Sequence, residues 1–185
     1  FPTHVKLNTK VDCFIVNAAE CEPLIETDKY LCRTWADRII RTIPVIAEAI
    51  GADRCVIALK AKYEQEITAL EESIKRNSSN VEICKLGYFY PAGDEQTMIQ
   101  QVTGRSVPER GLPSDVGCVV DNVGTVLNIA DALEGKPVTD KYLSVVGEVK
   151  NTILLHVPIG TPILDCVRIA EPRISDFSLI IGGPM

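Results

Sequence analysis

Four short, almost wholly apolar runs recur along the chain: Val11–Val16, Cys55–Leu59, Val81–Leu86 and Cys118–Val120. Each gives way to a polar loop and then to a helical pattern. A run that is apolar on both faces suits a strand covered by helices on either side, and alternation of such strands with helices implies parallel βαβ units. The third run is the weakest of the four, because Glu82 and Lys85 interrupt it. The expected class is α/β, with a Rossmann-like parallel sheet. In such sheets ligands sit outside the carboxyl ends of the strands, which directs attention to the loops found there.

The helical segments are legible by spacing. Leu31, Trp35, Ile39, Ile43, Ile46 and Ile50 recur at helical intervals from Thr27 to Gly51. Thr27 and Asp28 are placed to open that helix, Gly51 to close it, and Pro44 to kink or break it. Tyr63–Arg76 reads as a charged amphipathic helix ended by Asn77-Ser78-Ser79-Asn80. Gln96–Val102 reads as a helix, and another runs from near Gly124 to Leu133. After Gly135-Lys136-Pro137 the pattern changes. Tyr142–Val149 and Thr152–Val157 resemble a hairpin turning near Lys150-Asn151. Thr161 then caps a short helix that starts at Pro162, and Ser178–Ile181 supplies a further strand. Two units are therefore expected, residues 1–136 and a small α+β unit over residues 137–185.

Composition narrows the function. Hydrophobic residues make up 46% of the 185 residues, enough for a real core, while the net charge of −6 argues against a nucleic-acid or anionic-membrane surface. No apolar run approaches the ~20 residues that span a bilayer. The seven cysteines include no CxxC pair and only two histidines accompany them, so metal ligation within the chain is not expected. The odd number of cysteines, several of them within apolar runs, fits a reducing, intracellular setting. A start at Phe1 and an end at Gly182-Gly183-Pro184-Met185 read as the limits of a piece cut from a longer protein.

If the strands are parallel, three loops open on one edge of the sheet: Asn17–Glu22, Tyr90–Glu95 and Asp121–Thr125. Together they offer what a planar, phosphate-bearing cofactor requires. Asn17, Glu20 and Glu22 supply an amide and two carboxylates. Tyr90 offers an aromatic face, Gly93 close backbone approach, and Asn122 and Thr125 neutral hydrogen bonds. Backbone N–H groups near Gly124 could meet a phosphate. Taken one at a time, the same residues serve equally well as turn, capping and core residues.

Four motifs, FPTHVK at Phe1–Lys6, NAAECEP at Asn17–Pro23, YPAGDEQ at Tyr90–Gln96 and DNVGT at Asp121–Thr125, resemble the RnfC family, the flavin- and NADH-binding subunit of ferredoxin:NAD oxidoreductases. The connecting segment GRSVPERGLPSDVG, Gly104–Gly117, is similar to that family's as well. The likeness covers essentially the whole chain in the family's order, and extends distantly to the NADH-oxidising flavoprotein subunit of respiratory complex I. It implies a Rossmann-like FMN- and NADH-binding domain followed by a soluble-ligand-binding β-grasp domain. It further implies a cofactor site formed by Lys6, Asn17, Glu20, Glu22, Tyr90, Gly93, Asp94, Glu95, Asn122 and Thr125.

By that resemblance the intact protein is an electron-transfer flavoprotein. It oxidises NADH through FMN, passes electrons to 4Fe-4S clusters held outside this chain, and works with other subunits of an electron-transport or amino-acid reductase system. A cobalamin reductase branch exists too. Such a protein is cytoplasmic, reaching the inner face of the membrane through partner subunits. Two departures matter. The family's glycine-rich loop would precede Phe1, so this chain alone is expected to fold but to remain largely without FMN or NADH. Asp121 replaces a second asparagine of the complex I relative, placing a carboxylate where a phosphate would be repelled. The competing reading is a scaffold that has lost its flavin and docks a partner or small ligand.

Overall fold

The structure is a computed structural model that describes residues 3–182; Phe1, Pro2, Gly183, Pro184 and Met185 lie outside the described residues, and with them the ends of the FPTHVK motif and the terminal tail. The apolar runs become β1 (Cys13–Asn17), β2 (Arg54–Lys60), β3 (Glu82–Leu86) and β4 (Cys118–Asn122). They form one wholly parallel sheet in the order β3-β2-β1-β4. Placing β1 and β2 inside explains why these two are the most completely apolar.

Alternation along β1 sends Phe14 and Val16 to one face and Cys13 and Ile15 to the other. The first face carries α2 (Thr27–Thr34), α3 (Ala36–Ile50), α4 (Glu64–Arg76) and α6 (Val123–Leu133). Their Leu31, Ile39, Ile43, Leu70 and Val126 join its core. The second face is covered mainly by α5 (Glu95–Thr103) through Met98 and Ile99. A four-residue helix, α1 (Thr3–Lys6), precedes the sheet, and a 3-10 turn over Pro113–Val116 lies within the Gly- and Pro-rich connection.

The helix expected over residues 27–50 is divided, but at Trp35 rather than at Pro44. Trp35 has φ −118° and ψ 23°, outside the helical region, and separates α2 from α3. Pro44 is carried inside α3 on its exposed face, and the helix continues through it to Ile50. Gly51 ends α3 as expected, with φ 75° and its N–H on Glu48 O. Neither Thr27 nor Asp28 caps α2. Glu26 holds the cap position without a side-chain bond.

Beyond α6, β5 (Asp140–Val145) and β6 (Ile153–Pro158) pair antiparallel as a separate two-stranded sheet, followed by α7 (Ile163–Ile169). The strands are shorter at the turn than the sequence implied. Residues 146–152 leave the ladder, and Val149 makes an isolated bridge to Pro172 instead. Pro162, not Thr161, holds the N-cap position of α7, while the Thr161 hydroxyl donates to Pro158 O across the preceding turn. Ser178–Ile181 is not a strand. It has no strand partner among the described residues, and Ile180 and Ile181 are exposed. Apolar character alone suggested a strand there; without an adjacent ladder the backbone has nothing to pair with.

Tyr142 and His156 face each other across the hairpin with stacked rings, 4.1 Å between centroids. Tyr142 also meets Tyr30 of α2 at 5.6 Å, and the Ser144 hydroxyl accepts from Glu26 N–H at 3.2 Å. The hairpin thus rests on the start of α2, beside the carboxyl end of the parallel sheet.

Candidate functional site

The parallel register sets Asn17, the last residue of β1, directly beside Asn122, the last residue of β4. Asn17 Oδ1 accepts from Ala19 N–H at 3.0 Å, and its Nδ2 donates to Gly93 O at 2.8 Å. One side chain thereby ties the loop after β1 to the loop after β3. Gly93 fits because it has no side chain: a Cβ there would lie 2.4 Å from Ala19 O and 2.7 Å from Cys21 Sγ. Its N–H points at Cys21 Sγ, 3.0 Å away. The loops from β1, β3 and β4 therefore do meet on one edge.

A second group gathers around α2. Glu20 Oε2 accepts from the N–H of Asp28, one of the donors left over at the start of a helix. Lys60 Nζ and the Tyr63 hydroxyl both donate to Glu20 O, at 2.7 and 3.2 Å, fixing the loop from the β2 side. Asn122 Nδ2 donates to Asp28 Oδ2 at 2.8 Å, while Asn122 Oδ1 accepts from Gly124 N–H and caps α6. Burial pushes the Glu20 carboxyl up to about 7, with the Asp28 charge adding to the effect. Burial likewise raises Asp28, against the Asn122 hydrogen bond that favours its ionised form.

The third group lies on the open edge of β4. Lys6 Nζ donates to Glu95 Oε1 at 2.8 Å and to Val120 O at 2.6 Å, and stands 3.8 Å from Asp121 Oδ1. Glu95 and the Val120 carbonyl together hold Lys6 in place. Asp121 is not part of a loop. It belongs to β4, is buried to 5% exposure, and its Oδ2 has no hydrogen-bond partner. Burial raises its carboxyl to about 6.

The remaining candidates are more peripheral. Asp94 caps α5 through Thr97 N–H at 2.9 Å, which gives it a structural role. Tyr90 is 57% exposed at the rim, and Glu22 is half-buried in the β1–α2 loop. Thr125 lies one turn into α6, where it lines a groove of about 500 Å³ together with Asp28, Asn122, Lys141, Tyr142 and His156. Asp28 was legible only as a helix-opening residue. Its partner Asn122 lies 94 positions away, and no local pattern announces that contact.

Residues 1–131 match the model of the Nuo51 FMN-binding domain family. The chain belongs to that family. Over its whole length this Nuo51-type chain is 44% identical to a cobalamin reductase PduS of Citrobacter freundii, of which it spans 41%. It is 35% identical to one component of the Na(+)-translocating ferredoxin:NAD(+) oxidoreductase complex of Acetobacterium woodii, spanning 43% of that protein. The crystal structure of an NAD+-reducing [NiFe]-hydrogenase in the H2-reduced state superposes on 93% of the chain and on 36% of its own chain, with a TM-score of 0.81 and 26% identity. The chain thus spans about two-fifths of the length of the relatives it matches. Among the described residues no helix is long and apolar enough to cross a membrane.

Proposed function

We propose that this chain is the FMN- and NADH-binding part of an electron-transfer flavoprotein. The supporting observation is the convergence at one sheet edge, where Asn17 pairs in register with Asn122 and holds the loop of Gly93. The donor set suits a phosphate-bearing flavin: the Lys6 ammonium, the Asn122 amide, the Thr125 hydroxyl and the start of the eleven-residue helix α6.

The flavin, when bound, would accept a hydride from NADH and release electrons singly. The chain's own residues bind and orient. Glu22, joined by Glu20 as pH rises above about 7, brings negative potential to the rim, which favours two-electron reduction. Lys6 holds Glu95 at the β4 edge, and Tyr90 offers an exposed ring face. A division into a flavin unit over residues 1–136 and a β-grasp unit over residues 137–185 accords with the separate sheet of β5 and β6. In the intact protein, electrons would pass to 4Fe-4S centres and partner subunits at the cytoplasmic side of the membrane.

Titration of the full-length protein with FMN, followed by flavin fluorescence, tests the reading. Saturable one-to-one binding is expected, weakened about tenfold or more in Lys6→Ala through loss of a charge-assisted contact. Fluorescence that stays linear in FMN at all concentrations would overturn it.

A further inference from the structure

Asp121 is the one described residue with a buried side-chain oxygen lacking any hydrogen-bond partner. A buried polar atom in that condition is costly unless something completes it. Its surroundings are electrostatically unbalanced as well. Among the described side chains one cation, Lys6, faces two carboxylates, Glu95 at 2.8 Å and Asp121 at 3.8 Å, so these three side chains carry a formal charge of −1 when both acids are ionised. Lys6 also donates to Val120 O, which leaves it little freedom to follow either acid. Across the ladder Asp121 is paired with Val16, which offers no charge.

We propose that Asp121 makes binding of a phosphate monoester at the Lys6 edge proton-linked, the acid taking up a proton as the phosphate enters. A dianion drawn to Lys6 and the α6 N-terminus cannot share that low-dielectric edge with two ionised carboxylates. Of the two, Asp121 is the acid that accepts the proton: it is 5% exposed, whereas the Glu95 side chain is 37% exposed. Protonation removes the surplus charge and the cost of holding an ionised oxygen buried without a partner. Desolvation already holds the Asp121 carboxyl at about 6, with the Lys6 charge opposing and the Glu95 charge adding to the rise. One added proton near neutral pH is therefore within reach.

This inference rests on the flavin reading, and it assigns Asp121 a role in ligand discrimination: it favours riboflavin over FMN as pH rises. The test compares wild type with the isosteric Asp121→Asn, titrating FMN and riboflavin at pH 5.5 and pH 7.5. At pH 5.5 the two proteins should bind FMN within about twofold of each other. At pH 7.5 the variant should bind FMN about tenfold or more tightly than wild type, while the riboflavin ratio stays near one at both pH values. Calorimetry of wild type with FMN at pH 7.5, in two buffers of different ionisation heat, gives an independent reading even if the variant does not fold. Uptake approaching one proton per FMN is expected, and none with riboflavin. An FMN ratio that does not change with pH, a riboflavin ratio that changes equally, or zero proton uptake would overturn the inference while leaving the flavin reading intact. Failure of both flavins to bind either protein at either pH would overturn both.

Discussion

The two ends of the parallel sheet treat charge in opposite ways. At the amino end, ion pairs are exposed and complete. Arg105 forks onto Asp12 at 2.6 and 3.0 Å, and Arg54 onto Glu82 at 2.7 to 3.2 Å. Each arginine, through its hydrogen bonds, holds its carboxylate below the ordinary range. At the carboxyl end Glu20, Asp28 and Asp121 are all raised, with burial the largest cause in each case. The sheet is the same, and so are the residue types. What differs is whether protein atoms already satisfy the charge. At one end folding satisfies it, and at the other the carboxylates stand ready for a ligand or a proton, as sites with perturbed acids tend to.

Several measurements can break or sharpen that contrast. The largest expected effect comes from Gly93→Val, which forces side-chain atoms into Ala19 O and Cys21 Sγ. Overpacking of this kind costs ~1–3 kcal/mol or more, and it should also abolish FMN binding by separating the loops. Denaturant melts alongside FMN titration would check both effects. A fully stable Gly93→Val would mean the loops are not locked together.

The next effect depends on pH. The folded chain keeps a proton on Glu20 up to about 7, against a usual value of 4.5, so it binds more protons than the unfolded chain between those values. Stability from this group is therefore present at low pH and is lost as pH rises through about 7. Glu20→Gln keeps an acceptor for Asp28 N–H and should raise stability at pH 8 by ~1–2 kcal/mol, after allowance for partial exposure, with no gain at pH 4. A pH-independent difference would show that burial does not govern this acid. Smaller still, Asn122→Ala removes the α6 cap and a partner of Asp28, for a loss of ~1 kcal/mol in thermal or urea melts. At the other end of the sheet, Arg105→Ala should cost less than the Asn122 change, and less again in high salt, because both partners of its ion pair face water. A larger loss at Arg105 than at Asn122 would erase the distinction between the two ends.

The contrast also marks where sequence ran out. The buried strands were legible because apolar runs of this length have few other uses, and their parallel direction, though not their order in the sheet, followed from their alternation with helices. Helix interruption was misplaced because proline was weighed by its chemistry alone. Pro44 is carried within α3 without ending it, while Trp35, with no breaking chemistry, leaves the helical region at the joint. Ser178–Ile181 shows the same limit for strands, since apolar character cannot supply an adjacent ladder. At the candidate site, Asn17, Gly93 and Asn122 were legible from their loops. The partners that decide their chemistry, Asp28 and the pair Lys6–Asp121, lie about a hundred residues apart and are joined only by the fold.

Lys6 has a further consequence that concerns neighbours rather than ligands. A four-stranded open sheet has two free margins, and a strand from another molecule can dock on either and extend the ladder. On the β4 margin the Lys6 ammonium occupies the Val120 carbonyl, so an incoming strand must first displace a charge. On the β3 margin Glu82 and Lys85, each held in an ion pair, place charges of both signs along the border. The residues that made β3 the least convincing strand in the sequence thus act as guards against edge-to-edge self-association.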